Sequence, residues 1–545
     1  MRLDRIEISG FRGIRRLSLA LDELTTLIGE NTWGKSSLLD ALSIALPADG
    51  MPYQFTLDDF HVDYAISQPQ TQHIQIILIF TTHDDKELNT GRYRKLKPLW
   101  RIDDNGNHKI IYRINGERDQ YNITTKYSFL DLQGKPLLSA SSNRFARELM
   151  SLHPVIRLKD SRHFNRPFDK ENKQKYHPKI EKRINNTCRR LLEIPGHVNK
   201  GEIKSSLNAM TALIEHYFSF KHHHRKNPRI HQGSIVYANP STEKSFSEFF
   251  ATTNNKQIRL LFMGLLNAYL QAKGPSELRR CARPILIIED PEGRLHPIHL
   301  ARAWNLLSLL PMQKILTTNS GDLLSSVPLN SLRKLVRTSD KTIAFSIQNN
   351  ELSKDDLRKV GFHIRFHRTS ALYARCWLLV EGETEVWLFS ELARQCGYNF
   401  MAEGVQIIEF AQSGLKSLIK VAKVFGIDWH VVTDGDTAGK KYATTVKSLL
   451  DNEQVKHRLT ELPARDIEHF LYSNGFEQFF KEIIRIPFDH PIPAKKVVAR
   501  VLKKQTKPDL ALAIVSHCEL KGMGQIPELL RQILKRVIIM ANGHT

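Results

Sequence analysis

The chain has 545 residues, 41% hydrophobic and 25% charged, with 79 Lys and Arg against 57 Asp and Glu for a net charge of +22. That composition excludes wholesale disorder, leaves room for roughly two to four domains, and favours a polyanionic partner, nucleic acid before membrane. Five scattered cysteines without CxxC spacing exclude a zinc ribbon or a disulfide framework. The opening MRLDRIEISGF has no apolar signal core, and runs such as IQIILIF are too short to span a bilayer, so a cytoplasmic protein without a membrane segment is expected.

Residues 1 to about 80 read as two strands, a glycine-rich turn, a helix and short strands ending in IQIILIF. From 96 to 240 the chain turns polar and basic. YRINGERDQYNI predicts a hairpin there, and helical patterning follows around 180–218. Between Arg157 and Arg229 lie 18 Lys and Arg against 7 Asp and Glu, so about half of the excess charge sits in one segment. We read 96–240 as an insertion, a DNA-binding or dimer-forming arm, with a solvated surface as the plainer alternative. The short KHHHRK tract reads as a solvated basic loop. Strong α/β signals return at NKQIRLLFMGLLNAYLQA, a helix, and at the buried strands RPILIIED and QKILTTNS. A junction near 350–372 leads to a second alternating unit, and the remainder is helical and basic. The expected divisions are 1–95, 96–240, 241–365, 366–475 and 476–545.

Gly29-Glu-Asn-Thr-Trp-Gly34-Lys35-Ser36 matches G-x-x-x-x-G-K-[ST] in full, after an apolar strand and opening the helix SSLLDALSIAL. In that context backbone N–H groups curl around phosphates, a lysine reaches the β/γ oxygens and a serine ligates Mg²⁺. Gly29, Asn31, Gly34, Lys35, Ser36 and Ser37 are therefore the expected ATP-binding residues. PILIIEDPEGRLHP adds the acidic strand end that such a site needs, in Glu289 and Asp290.

The segments VEGETE and TDGDTAG carry a second chemistry. Glu381 ends a strand and Glu385 follows four residues on, one turn into a helix. Asp434 and Asp436 stand two apart after the strand HVV. Four converging acids repel one another unless cations lie between them. Two Mg²⁺ ions about 3.5–4 Å apart would activate water and stabilise the leaving oxygen of a phosphodiester.

Together IEISGFRGI, LIGENTWGKS, IIEDPEGRLHP and ILTTNS resemble an ABC/SMC-type ATPase core, and more narrowly the overcoming-lysogenization-defect (OLD) ATP-dependent nucleases. E-G-x-x-E followed by D-x-D-x-x-G is the pattern of a Toprim domain, and its position after such an ATPase is the OLD arrangement. The resemblance implies an α/β protein: an ABC-type P-loop ATPase domain with a large insertion, then a Toprim domain and a helical C-terminal segment. It puts Glu289 at the Walker B metal position, Asp290 at the catalytic base, and Asn319 where a histidine is usual. It makes Glu381, Glu385, Asp434, Asp436 and Glu468 metal ligands for Mg²⁺ or Mn²⁺, with Asp466 a neighbour able to substitute. Ser413-Gly414 becomes a turn beside the metals, and Lys507 the late catalytic lysine. Three departures stand out: Trp33 replaces a small residue, FATTNNKQ lacks the Ser-Gly signature, and no Q-loop glutamine can be placed.

The implied function is an ATP-controlled, metal-dependent DNA endonuclease or nickase. The alternative is an SMC-like ATP-switched DNA-binding or repair protein that does not cut. A primase lacks its zinc cysteines here, and nothing nominates a topoisomerase tyrosine. Expected partners are DNA, a second copy of the chain in a homodimer, and a helicase-type protein, with no membrane.

Overall fold

The computed structural model describes residues 1–62, 71–158 and 282–543, with short exceptions inside the last two ranges. Within these, the chain divides into two compact units, Met1–Ala344 and Phe345–Thr545. The expected helix at 255–272, the ATTNN signature, the histidine tract, Ser413 and all of the basic segment beyond residue 158 lie outside the described residues.

The first unit contains two sheets. One is antiparallel: β1 (Arg2–Phe11) lies between β2 (Ile14–Ala20) and β4 (His73–Thr82), and β4 continues to β6 (His108–Arg118). β5 (Arg101–Ile102) and β7 (Ile123–Leu130) both pair with β6. Period-two alternation shows in β1, where Leu3, Ile6 and Ile8 are buried. The other sheet runs β12 (Thr342–Phe345), β11 (Leu332–Arg337), β3 (Leu24–Ile28), β10 (Lys314–Thr317), β9 (Ile285–Glu289), β8 (Val155–Leu158). From β11 to β8 it is parallel. β9, ILIIE, is buried at every position, as expected for a parallel strand covered on both faces. Helix α1 (Lys35–Ala45) follows β3 and packs Leu38, Leu39 and Leu42 into the core shared with β1 and β4. Helices α2 (Ser142–Leu152), α3 (Pro297–Ser308) and α4 (Gly321–Ser325) also belong to this unit.

The hairpin expected in YRINGERDQYNI is present as β6–β7, but it is not part of an arm. β6 pairs with β4 along ten residues, and β8 is an edge of the parallel sheet. The border expected at 95/96 therefore falls inside the body. A polar, basic surface disguised strands whose other face is buried: Ile110, Tyr112 and Ile114 point into the core between exposed or half-buried neighbours.

The second unit is built on a parallel sheet ordered β14 (Val405–Glu409), β13 (Cys376–Val380), β15 (Asp428–Thr433), β16 (Leu459–Glu461). Helices α5 (Glu383–Gln395), α6 (Leu415–Val424) and α7 (Thr437–Ser448) connect the strands. Beyond β16 come α8 (Ile467–Leu471), α9 (Glu477–Ile483), α10 (Ala494–Lys504), α11 (Lys507–Lys521) and α12 (Glu528–Ala541). The border expected at 475/476 is not a structural one. Leu378, Leu392, Val498, Ile514 and Leu534 belong to one core, and α12 packs on β13, β14 and β15. No helix among the described residues is long and apolar enough to cross a membrane.

Leu378, fully buried on the central strand β13, anchors this core. Leu378→Ala should destabilise it by about 2–5 kcal/mol. Urea unfolding followed by the fluorescence of Trp377 and Trp429, both fully buried in the same unit, would report the shift of midpoint.

Candidate active site

Two groups of chemically capable residues emerge, one in each unit. In the first, the ends of β3, β10 and β9 are level, since Thr317 on β10 is opposite both Leu27 and Glu289. The phosphate turn and the acidic strand end are thus two strands apart, with β10 between them. Gly34 caps α1 with φ of +95°, and a Cβ there would sit 3.0 Å from Ile14 Cγ1. Only glycine allows that turn without strain. Lys35 is buried, and its Nζ donates to the Gly29 carbonyl at 2.7 Å and to Asn319 Oδ1 at 2.8 Å. Burial lowers its pKa, while Asp290 and Glu292 pull the other way. Asn319 Nδ2 reaches Asn31 Oδ1 at 3.5 Å, Ser37 Oγ accepts from the Gly13 N–H at 3.2 Å, and Ser36 is exposed at the start of α1. Of the expected nucleotide residues, the turn, Lys35 and Asn319 are brought together.

The acids on β9 are less simply disposed. Glu289 Oε2 is ion-paired with Arg157 Nε at 2.8 Å, and Arg157 also pairs with Asp40 on α1. Asp40 in turn pairs with Arg12, which holds Asp59 at 2.9 Å. Asp290 has φ of +42°, a left-handed conformation costly for a residue with a Cβ. Its Oδ1 accepts from Thr317 Oγ1 at 2.9 Å. Sequence reading missed Glu292, which accepts from the Asn319 N–H at 2.5 Å and the Thr318 hydroxyl at 3.0 Å. Burial, then Asp290, raises its pKa. Its position two residues past Asp290 in the same acidic motif was the available signal. Arg157, the first residue of the basic segment, pairs with two carboxylates inside the body.

In the second unit, β13 and β15 are parallel neighbours with Leu379 opposite Val431, so Glu381 and Asp434 emerge side by side. Glu385, in the first turn of α5, accepts from the Gly382 N–H at 3.1 Å, the N3 half of a capping box, which holds its carboxylate at the strand end. Asp436 caps α7, accepting from the Gly439 N–H at 2.7 Å. A Cβ on Gly439 would lie 2.0 Å from the Asp434 carbonyl oxygen, so the glycine of D-x-D-x-x-G is set by close approach. Asp466 caps α8 and pairs with His469 Nδ1 at 2.6 Å. Burial opposes its charge, but the His469 N–H and imidazole hold its pKa below the ordinary value. Glu468, two residues on, is almost fully buried, and Lys507 Nζ lies 3.1 Å from its Oε1. The five expected ligands and the expected lysine thus come to one sheet edge. Glu381 lies between the two aspartates in this respect: Glu385 and Glu381 act on Asp434, and Asp436 acts on Glu381.

The electrostatics follow from that crowding. Burial, then Glu385, Glu381, Asp466 and Glu468, push Asp434 up to about 8. Glu381 is raised by burial, Asp436 and Glu385, and Glu385 by burial and Glu468. Burial works against the Lys507 ammonium, but Glu468, Glu385 and Asp466 hold its pKa above the ordinary value. Among the described residues no three His, Cys, Asp or Glu side chains form a finished ligand shell. The donor set nonetheless fits hard divalent cations: Glu381 Oε2 and Glu468 Oε2 are buried without a hydrogen-bond partner, in a cluster of oxygens whose charge Lys507 offsets only in part.

The folded pKa of Asp434 lies above the unfolded value near 3.8, so folding favours the protonated acid. The resulting penalty is absent below pH ~4, grows with pH, and is complete above about 8. In EDTA, Asp434→Asn should flatten the fall of Tm with pH and raise Tm at high pH by on the order of 5 °C. Added Mg²⁺ should raise the wild-type Tm and leave the variant nearly unmoved. Differential scanning fluorimetry checks both.

A family model described as "Protein of unknown function (DUF2813)" matches residues 1–371, and one described as "Overcoming lysogenization defect protein-like, TOPRIM domain" matches residues 372–436. The "Uncharacterized protein YbjD" of Escherichia coli (strain K12) is 43% identical over 556 residues, covering 100% of both chains. The "Endonuclease GajA" of Bacillus cereus (strain VD045) is 22% identical over 484 residues, covering 83% of this chain and 78% of that one. Among solved structures, an SMC head domain from Thermotoga maritima covers 64% of this chain and 100% of its own, at 13% identity and a TM-score of 0.30. With two thirds of its length matched by one family model and residues 372–436 by the other, the chain belongs to the DUF2813 family and carries an OLD-like Toprim domain.

Proposed function

We propose that the protein is an ATP-binding, divalent-metal-dependent DNA endonuclease or nickase, with phosphodiester hydrolysis at the Toprim acids and the ATPase body controlling when it occurs. The observation that carries this reading is the gathering of Glu381, Glu385, Asp434, Asp436 and Glu468 at one sheet edge with Lys507 against Glu468. A relative bearing the name endonuclease along most of its length supports it. Bound at these five carboxylates, Mg²⁺ or Mn²⁺ supplies an activated water and charge stabilisation at the leaving oxygen. Glu381, with an unpartnered oxygen, would hold a metal ion and serve the attacking water. Glu385 and Asp436 are fixed by their N–H partners and hold the geometry. Lys507 offsets the negative charge of the cluster and adds a cation for the scissile phosphate.

In the body, Lys35 and the N–H groups of Gly29–Ser37 receive the triphosphate, Glu289 serves the metal's water shell and Asp290 acts as base. Asn319 has its side-chain oxygen on Lys35, and an amide cannot take up the positive charge open to a histidine. ATP acts as a switch between arrangements of a homodimer more than as continuous fuel.

Nicking of supercoiled plasmid, with metal and nucleotide varied independently, tests the reading. Cleavage should require Mg²⁺ or Mn²⁺ and vanish in Asp434→Ala, which should still bind ATP. Lys35→Ala should lose ATP binding and keep the Mg²⁺-induced rise in Tm. Near-wild-type nicking by Asp434→Ala would overturn the assignment. Steady-state ATPase should be slow and rise in Asn319→His, because one well-placed transition-state contact is worth about 10²–10³ in rate. Wild-type turnover on the order of ~10 s⁻¹ would contradict the switch.

A further inference from the structure

The acid cluster has an unsolved problem of its own. If it cuts phosphodiesters, it must also approach a polyanion that its carboxylates repel, and Lys507 alone does not offset five acids. Affinity has to come from cations nearby.

We propose that the exposed face of α10 is the surface that holds the backbone of duplex DNA beside the acid cluster. This rests on the nuclease reading for its choice of partner. α10, AKKVVARVLKK, has five Lys and Arg and no acidic residue. Val497, Val498 and Val501 are buried, whereas Lys495, Lys496, Arg500 and Lys503 are exposed. At 100° per residue these four cations span about 140° of the helix, opposite the valines. Like charges at i,i+4, such as Lys496 and Arg500, destabilise a helix, and nothing on α10 offsets them.

No side chain of the four has a hydrogen bond or ion pair among the described residues. Elsewhere in the unit Arg394, Lys420, Lys423, Lys447, Lys481 and Lys507 each face a carboxylate; α10 differs from these in presenting four cations together on one face. The fifth cation of the helix, Lys504, donates to the Ile483 carbonyl and is part of the packing.

Position completes the case. α10 packs on α8, the helix that carries Glu468, and on α9. Past its C-terminal end the chain needs only Gln505 and Thr506 to reach Lys507, which pairs with Glu468. The helix therefore adjoins the two elements that carry Glu468 and Lys507, with its cationic face turned to solvent. From Lys495 to Lys503 the helix rises about 12 Å, alongside roughly three phosphates of one strand at their 3.4 Å spacing. A lipid surface fits less well. The apolar face of α10 is already buried in the core, so no hydrophobic side is left to insert into a bilayer.

The test uses the full chain with Lys495, Lys496, Arg500 and Lys503 each changed to Gln, binding a fluorescent duplex of about 30 base pairs in EDTA between 50 and 200 mM salt. Affinity should fall at least tenfold at the low-salt end, and the slope of log K against log salt should shrink by about 2–3. The Mg²⁺-induced rise in Tm should stay as in wild type, showing an intact acid cluster. Should the quadruple variant not fold, Lys495→Gln with Lys496→Gln should lower the slope by about 1–2. An unchanged slope in a folded variant overturns the proposal, as does wild-type binding to phosphatidylserine vesicles or polyglutamate but not to duplex DNA. The two readings fail separately. A reduced slope with nicking that survives Asp434→Ala removes the nuclease assignment and leaves the surface. Nicking lost in Asp434→Ala with an unchanged slope does the reverse.

Discussion

Glu381 and Asp434 end neighbouring parallel strands, and strands in a sheet lie about 4.8 Å apart. The backbone ladder therefore sets these two residues down near each other just past the strand ends, and their repulsion has to be managed there. Much of the local structure does this. Glu385 is tied to the Gly382 N–H, Asp436 to the Gly439 N–H, and Asp466 to His469, while Lys507 sits against Glu468. What is left over accumulates on Asp434, pushed up to about 8. The body faces the opposite problem with the same means. Lys35 is buried near Asp290 and Glu292, and Glu289 is paired with Arg157.

Features set by one residue type at a fixed spacing were legible in the sequence. The glycines and lysine of the phosphate turn, the acids after ILII and the two acid pairs could be read because each position tolerates little else: Gly439 has no space for a side chain, and Gly34 needs a left-handed backbone. Features that depend on distant parts of the chain meeting were not. Arg157 looked like one more cation in a basic stretch, yet it closes a chain of ion pairs from Arg12 through Asp40 to Glu289. Glu292 looked like part of a loop, and only the fold brings Thr318 and Asn319 against it. Lys507 could be nominated only by family resemblance, since nothing in its neighbours distinguishes it from other lysines; its contact with Glu468 arises from helices that meet after the strands are complete.

Boundaries suffered most. The strand β6 has a half-polar face, so hydrophobic patterning assigned it to an insertion, although its backbone continues the antiparallel sheet of the body. The helices after residue 475 looked like an appendix because basic residues line their exposed sides. Their buried sides complete a single core with the strands, which explains how a helix as highly charged as α10 holds its place: three valines secure it while its cations remain available.

The position of α12 has a consequence in time. Residues 528–541 cover β13, β14 and β15, strands that leave the ribosome more than a hundred residues earlier. Until α12 has emerged, the sheet bearing Glu381 and Asp434 lacks part of its core, whereas the described strands of the body are all synthesised by residue 345. Vectorial synthesis thus orders maturation. The unit with the phosphate-turn motif can be folded while the acid-bearing unit is still incomplete, so the crowded carboxylates are locked together only once the last helix has arrived.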